Sequence, residues 1–329
     1  MTSVNKLTVV AGVIAASIFG AVAYKESKSP KYLGEERIDG KTVIITGANS
    51  GIGLETAKEL ARRGGRIFMA CRDLAKCELA RQRVIDATQS ETVFCRVCDL
   101  ASLHSVRKFA HKFNREEPNL HLLINNAGVL GTPKTLTEDG FELQLGTNFI
   151  GHFVLTNMLL DKMKETGPSR IINLTSATHV EGKMNFEDLN GDENYDPIAA
   201  YNQSKLANIL FTRELARRLK DWCVTSYVVS PGFVYTDLFR HMSFKQNRVF
   251  EHFAHPLMLI FLRSPLQGVQ TTLYCALAPE LEKISGHYYE HCVQADTSDD
   301  AMDDEAARRL WATAEKWTTP KTQMTESIC

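Results

Sequence analysis

The apolar and polar positions divide the chain into an isolated apolar run, a polar bridge and a long alternating region. Leu7–Tyr24 is uncharged and mostly apolar, at the short end for a membrane-spanning helix. Ser27–Gly40 is polar, holds Pro30 and Gly34, and predicts a linker. From Lys41 onward, short β-branched runs suited to buried parallel strands alternate with helical periodicity. The strands expected are Lys41–Thr46, Arg66–Cys71, Thr92–Val97, Leu120–Asn125, Ser169–Leu174 and Cys223–Ser230. Helices are expected over Leu54–Arg63, after a cap at Asp73, over Ser102–Glu116, over a long stretch from Glu138 to Lys164, and around Tyr201 and Lys205. Val180–Pro197 is acidic and polar, which predicts a surface excursion. Ser264–Ala278 predicts a helix, Gly286–Tyr289 a last strand, Asp303–Trp317 a final charged helix, and the tail to Cys329 disorder. This rhythm predicts α/β architecture: a single doubly wound parallel sheet over residues 41–317, after an anchor over 1–24 and a linker over 25–40, with a tail at 318–329.

Charge narrows the classes of partner. The formal net charge is −1 and no basic stripe occurs, so nucleic acid is not an expected partner. The chain has eight cysteines, scattered singly, which is not the framework of a small disulfide-stapled domain. Cys95 and Cys98 form C-x-x-C, but on a strand they point to opposite faces, so no metal site is expected there. Lys25, Lys28 and Lys31 follow the apolar run while Lys6 precedes it, which favours a cytosol-facing or matrix-like placement of the domain. A signal peptide is the rival reading, since Ala21-Val-Ala23 mimics a cleavage site; a mitochondrial targeting segment is another, without the Arg-rich pattern. Asn173 and Asn202 head glycosylation-acceptor triplets inside the candidate site, which argues against a lumenal domain. The preferred expectation is a membrane anchor, in the endoplasmic reticulum or a mitochondrial membrane.

The candidate chemistry lies at strand ends. Gly47-Ala-Asn-Ser-Gly51-Ile-Gly53 follows the first strand and opens a helix, the layout that holds a diphosphate on a helix N-terminus in a Rossmann-type fold. Arg72 ends the second strand, where the adenosine ribose would lie; its alternative is a surface charge beside Asp73. Asp99 closes the third strand and is placed to meet an adenine edge. Asn125-Asn-Ala-Gly128 ends the fourth, and Thr175-Ser176 ends the fifth. Tyr201 and Lys205 share one helix face one turn apart, where an ammonium favours a phenolate and equips the pair for proton transfer.

Thr46-Gly47-x-x-x-Gly51-x-Gly53, Asn125-Asn-Ala-Gly128, Asn148, Ser176, Tyr201-x-x-x-Lys205 and Pro231-Gly232, in that order, resemble the short-chain dehydrogenase/reductase superfamily across Lys41 to Tyr289. Ala70-Cys-Arg-Asp73, Glu138-Asp-Gly-Phe141, Gly151-His-Phe153 and Ala306-Ala-Arg-Arg-Leu-Trp311 are similar to its membrane-anchored retinol dehydrogenases. Departures are small: Phe149-Ile150 follows Asn148, and Thr175 precedes Ser176. The resemblance implies that Tyr201 exchanges a proton with the substrate oxygen and that Lys205 lowers the tyrosine pKa and holds the nicotinamide ribose. It implies that Ser176 binds the substrate oxygen and that Asn148 completes a proton relay through water. It also implies a cofactor, NADP(H), held by Gly47, Asn49, Ser50, Gly51, Ile52, Gly53, Arg72, Asp99, Leu100, Asn126, Ala127, Gly128, Tyr201, Lys205, Pro231, Gly232, Val234 and Thr236. Asp237–Leu262 is rich in Phe, Met and Leu and reads three ways: part of a substrate lid over 233–262, a surface touching a bilayer, or plain core. The implied activity is hydride transfer on a lipophilic alcohol or aldehyde, retinol and retinal first. The alternatives are other lipid or steroid carbonyls, or a non-catalytic nucleotide-binding protein. The partners expected are the substrate, the membrane and a second copy of the chain in a homodimer.

Overall fold

The computed structural model describes residues 20, 29–241 and 262–319. The anchor run, most of the segment after Thr236 and the C-terminal tail therefore lie outside the described residues. Among the described residues, no helix is long and apolar enough to cross a membrane.

One sheet of eight strands runs in the order β3-β2-β1-β4-β5-β6-β7-β8. Its members are β1 (Thr42–Thr46), β2 (Arg66–Cys71), β3 (Val93–Val97), β4 (Leu122–Asn125), β5 (Ser169–Leu174), β6 (Val224–Ser230), β7 (Tyr288–Glu290) and β8 (Val293–Gln294). All pairs are parallel except β7 with β8. β8 was not expected from the sequence; it is short, exposed and closes the sheet as an antiparallel edge.

The helices are α1 (Gly51–Arg62), α2 (Leu74–Thr88), α3 (Leu103–Glu116), α4 (Gly151–Thr166), α5 (Pro197–Arg218), α6 (Gln270–Leu277) and α7 (Asp304–Thr318). Along β1 the side chains alternate between two cores. Val43 and Ile45 join Leu54, Leu60 and Val84 on the face covered by α1, α2 and α6. Ile44 joins Val106, Leu155 and Leu210 on the face covered by α3, α4 and α5. A doubly wound sheet needs this: each central strand is buried on both faces and so reads as a continuous apolar run. α7 packs outside α4 and α5, where the Trp311 ring meets Phe153 at 5.0 Å and Phe211 at 5.7 Å.

Several helix starts are set by side-chain caps: Asp73 on Lys76 N–H, Ser102 on Ser105 N–H, Asp196 on Ile198 and Ala199 N–H, and Asp303 on Glu305 and Ala306 N–H. The long helix expected from Glu138 begins only at Leu143. Gly140 has φ +86°, and Leu136 pairs with Glu142 in an isolated bridge, which closes a turn first. A three-residue helical start (Leu143–Leu145) and a π-turn (Gly146–Ile150) then lead into α4.

Two further features depart from expectation. Cys77 on α2 and Cys95 on β3 form a disulfide, so the cysteines are not all single. Cys98 is a free, buried thiol and lies in the core opposite to that of Cys95, as the strand period requires. The polar stretch expected as a linker lies along the domain. Ile38 is buried, the Tyr32 ring meets Tyr274 at 5.9 Å, and Arg63 donates to the carbonyls of Gly34 and Glu36.

Candidate active site

The carboxyl ends of β1, β2, β4, β5 and β6 open on one cavity of about 840 Å³. Every residue proposed to hold the cofactor borders it: Gly47, Asn49, Ser50, Gly51, Ile52 and Gly53; Arg72; Asp99 and Leu100; Asn126, Ala127 and Gly128; Pro231, Gly232, Val234 and Thr236; Tyr201 and Lys205. Ser176 borders it too. Asn148 does not; it is fully buried in the layer behind.

The glycine turn suits a diphosphate. Gly47 has φ +65°, and a Cβ on Gly53 would lie 2.5 Å from the Gly47 carbonyl oxygen, so the backbone closes here only without side chains. Ser50 caps α1 without a side-chain hydrogen bond, and the first turn carries no acidic residue. The orphan N–H groups and the positive end of the helix dipole are thus left to an anion in the cavity.

At the end of β2, Arg72 is exposed on the cavity wall. The neighbouring Asp73 carboxylate accepts from Lys76 N–H at 3.0 Å, which engages it with its own helix. Asp99 is likewise engaged, accepting from Ala101 N–H at 3.0 Å.

The reactive group stands at the other end. Tyr201 is 4% exposed, and the neighbouring Ser176 hydroxyl favours its ionised form. Ser176 Oγ also receives the Thr178 hydroxyl at 3.1 Å and Thr178 N–H at 3.3 Å. Thr178, which sequence reasoning did not single out, therefore orients the serine; an S/T-x-S/T pattern after a strand was the available signal. Lys205 Nζ lies 5.5 Å from the Tyr201 ring centre and donates to the Leu174 carbonyl at 3.3 Å.

Burial dominates both titrations. It pushes the Tyr201 phenol up to about 12, opposed by the nearby Ser176 hydroxyl, and pushes the Lys205 ammonium down to about 8. The expected lowering of the tyrosine by Lys205 is not what this geometry gives, because desolvation of a fully enclosed phenol outweighs an ammonium aimed at a carbonyl.

Asn148 is committed elsewhere than the cavity. Its Oδ1 accepts from Val129 N–H at 2.8 Å, and its Nδ2 donates to the Val129 carbonyl at 3.0 Å and to Ser204 Oγ at 2.9 Å. Both amide hydrogens are used, so the side chain clamps the β4 exit to α5 rather than presenting a donor to water. Gly128 makes room for this: a Cβ there would lie 3.2 Å from Asn148 Oδ1 and 3.6 Å from Lys205 Nζ.

The segment proposed as a lid is described only at its ends. Tyr235 N–H donates to the Arg263 carbonyl at 2.9 Å, and Arg263 N–H donates to the Phe233 carbonyl at 2.7 Å. This two-bond zipper holds the start and finish of the segment together beside the cavity. Phe233 is 56% exposed at its rim.

The same layout occurs in known proteins. The model of the short chain dehydrogenase family matches residues 41–247. Retinol dehydrogenase 11 of Mus musculus is 48% identical over 275 residues, covering 84% of this chain and 85% of the mouse protein. Retinol dehydrogenase 13 of Homo sapiens is 49% identical over 276 residues, covering 84% and 83%. A solved structure of an uncharacterised protein from Mycobacterium paratuberculosis superposes with a TM-score of 0.70 at 36% identity, covering 86% of this chain and 95% of that one. With the cavity, the glycine turn and the Ser176–Tyr201–Lys205 group already in place, the chain belongs to the short-chain dehydrogenase family and is an oxidoreductase that works with a nicotinamide cofactor.

Proposed function

We propose that the protein is an NADP(H)-dependent reductase of lipophilic carbonyls, with retinal and retinol as the substrate pair. The observation that carries this reading is the buried Tyr201 beside Lys205, with Ser176, at one end of a cavity whose other end carries Arg72 and no carboxylate at Ala70 or Cys71. The relatives named retinol dehydrogenase support the substrate class.

The residues fit a dinucleotide: an uncapped helix end and a glycine cradle for the diphosphate, and a guanidinium fork for a 2′-phosphate. When bound, the cofactor supplies hydride to the carbonyl carbon. The Ser176 and Tyr201 hydroxyls bind the substrate oxygen, and the phenol donates its proton as charge develops there. A phenol held near 12 arrives protonated at neutral pH, which suits reduction. Lys205, beside the ring, stabilises the phenolate until solvent returns the proton. Asn148 holds the wall of the site through Val129 and Ser204. The apolar run before Tyr24 anchors the domain to the endoplasmic reticulum or a mitochondrial membrane, and the exposed Phe233 at the rim suits a substrate drawn from lipid.

The test is retinal reduction by wild type and Arg72→Ala with NADPH and NADH. Wild type is expected to prefer NADPH, and the variant to lose about ten- to a hundredfold of that preference, as one charge-assisted contact is worth roughly 1.5–3 kcal/mol. A wild type that prefers NADH, or an unchanged variant, reduces Arg72 to a surface charge. No turnover across a panel of retinoid, steroid and lipid carbonyls favours the non-catalytic reading.

A further inference from the structure

One buried histidine outside the cavity lining has its protonation pattern fixed by its neighbours. His152, in the first turn of α4, is 2% exposed and Thr46, the last residue of β1, is 1% exposed. The Thr46 hydroxyl oxygen receives Asn126 N–H at 2.9 Å and Ala127 N–H at 3.0 Å. Amide N–H groups only donate, so both lone pairs of the hydroxyl are taken. Its proton goes to His152 Nε2 at 2.9 Å rather than to the Ile124 carbonyl at 3.4 Å. Nε2 is thus an acceptor, and the ring proton sits on Nδ1, 3.0 Å from the Asn148 carbonyl oxygen to which it donates. The path continues from Asn148 Nδ2 to Ser204 Oγ at 2.9 Å, and from the Ser204 hydroxyl to the Tyr201 carbonyl at 2.7 Å. Donor and acceptor are assigned at every link from the β4 exit loop to the backbone of the proton-donating tyrosine.

A protonated ring would aim a second N–H at a hydroxyl that has no lone pair left. Burial is the main reason the imidazole resists that state; it outweighs the hydrogen bond to the Asn148 carbonyl, which favours the charged ring, and with a smaller push from the Lys205 ammonium it holds the ring down to about 4. The carbonyl that His152 binds lies in the π-turn Gly146–Ile150, where helical pairing is shifted by one residue. A side-chain N–H fixes that carbonyl inside the irregular turn.

We propose that His152 is a positioning residue: as a neutral Nδ1–H imidazole it locks the Asn126–Ala127 wall of the cofactor cavity to Asn148 and, through Ser204, to the Tyr201 turn of α5. This rests on the reading of Tyr201 as proton donor and adds the element that sets its distance from the nicotinamide end of the cavity. A residue of similar volume without the two ring nitrogens keeps the packing but leaves the Thr46 hydroxyl only the more distant Ile124 carbonyl and removes the side-chain donor from the Asn148 carbonyl.

Two measurements test it. In protein labelled with ¹⁵N-histidine, the His152 signals, identified by their loss in His152→Leu, are expected to show a protonated Nδ1 and an unprotonated Nε2, unchanged from about pH 5.5 to about pH 9. An Nε2–H tautomer, or titration in that range, overturns the proposal. In retinal reduction at saturating NADPH, His152→Leu and Thr46→Val are each expected to lower kcat about tenfold per folded molecule, and the double variant to lose no more than the worse single one. Thr46→Ser, which restores the hydroxyl, is expected to recover most of what Thr46→Val loses. Multiplicative losses in the double variant overturn the proposal, as does a wild-type kcat in His152→Leu with only a lowered Tm, the mark of a merely structural role. If His152→Leu does not fold, the Thr46 pair decides by rescue or its absence. A wild type inactive on every carbonyl sinks the proposed function instead; the histidine lock is then decided by its ¹⁵N pattern, which needs no turnover.

Discussion

Lys205 is held in the site against its own preference for water. Burial brings its ammonium down to about 8 from 10.5. Between these values the unfolded chain keeps a proton that the native state has lost, so this group makes stability rise with pH across that window. Below about pH 8 the penalty is fully present, on the order of 3 kcal/mol from a shift of this size. In cofactor-free protein, Lys205→Met is therefore expected to melt higher than wild type at pH 7, and the gap is expected to shrink from pH 8 towards 10.5. Equal melting temperatures at pH 7 contradict this. The Met variant should be inactive all the same, a gain in stability set against function. Tyr201→Phe separates chemistry from binding. It is expected to keep the fold and NADPH affinity while losing turnover by roughly 10²–10⁴-fold, the usual share of a positioned acid. Steady-state kinetics beside a cofactor titration measure both, and activity within a few-fold of wild type removes Tyr201 from the role. The spacing of Tyr201 and Lys205 was legible because helical period alone puts them on one face. The direction of their titrations was not, because it depends on how completely other elements enclose them.

At the level of elements, strand positions were readable where both faces are buried. Arg66–Cys71 and Ser169–Leu174 form strands over the expected bounds, since a doubly wound sheet demands unbroken apolar runs. The start of α4 was misread because its approach passes through a turn at Gly140 and an i→i+5 segment, and neither changes the apolar period. The Cys77–Cys95 link was equally hidden, since it needs α2 packed on β3 before two distant thiols meet. The docking of α7 is likewise tertiary. Its Trp311 sits under the Arg218 guanidinium at 4.2 Å and against Phe153 and Phe211. Trp311→Ala is expected to cost about 3–5 kcal/mol and to lower Tm by about 10 °C in a chain of this size. Trp311→Phe should lose much less, because the indole N–H has no hydrogen-bond partner among the described residues. A small effect of the alanine change in a thermal melt would mean that α7 is only loosely applied.

For the whole molecule, the point where the chain enters the domain is fixed. Ser29 Oγ accepts from Gln267 at 2.9 Å, and Tyr32 N–H donates to Gln270 at 3.0 Å. Both partners lie just after Arg263, beside the rim of the cavity, so an anchor ending at Tyr24 would place that rim near the membrane. Deleting residues through Tyr24 is expected to release the protein to the soluble fraction with its Tm intact. Deleting through Gly40 should also lower Tm, because Tyr32 and Ile38 are lost from their contacts. Fractionation and melting of the two truncations check this; a shorter truncation that still pellets moves membrane attachment to the segment after Phe239. The zipper between Phe233, Tyr235 and Arg263 has its own consequence. Because it brings the two ends of the intervening stretch within one backbone hydrogen bond of each other, the fold sees only a closed gate of fixed width. Doubling the length of what is hung there adds only about 0.6 kcal/mol of closure entropy. Lengthened variants of the stretch are therefore expected to keep the melting temperature of the parent protein, since the sheet and the proton donor on α5 lie outside it; a thermal melt checks this.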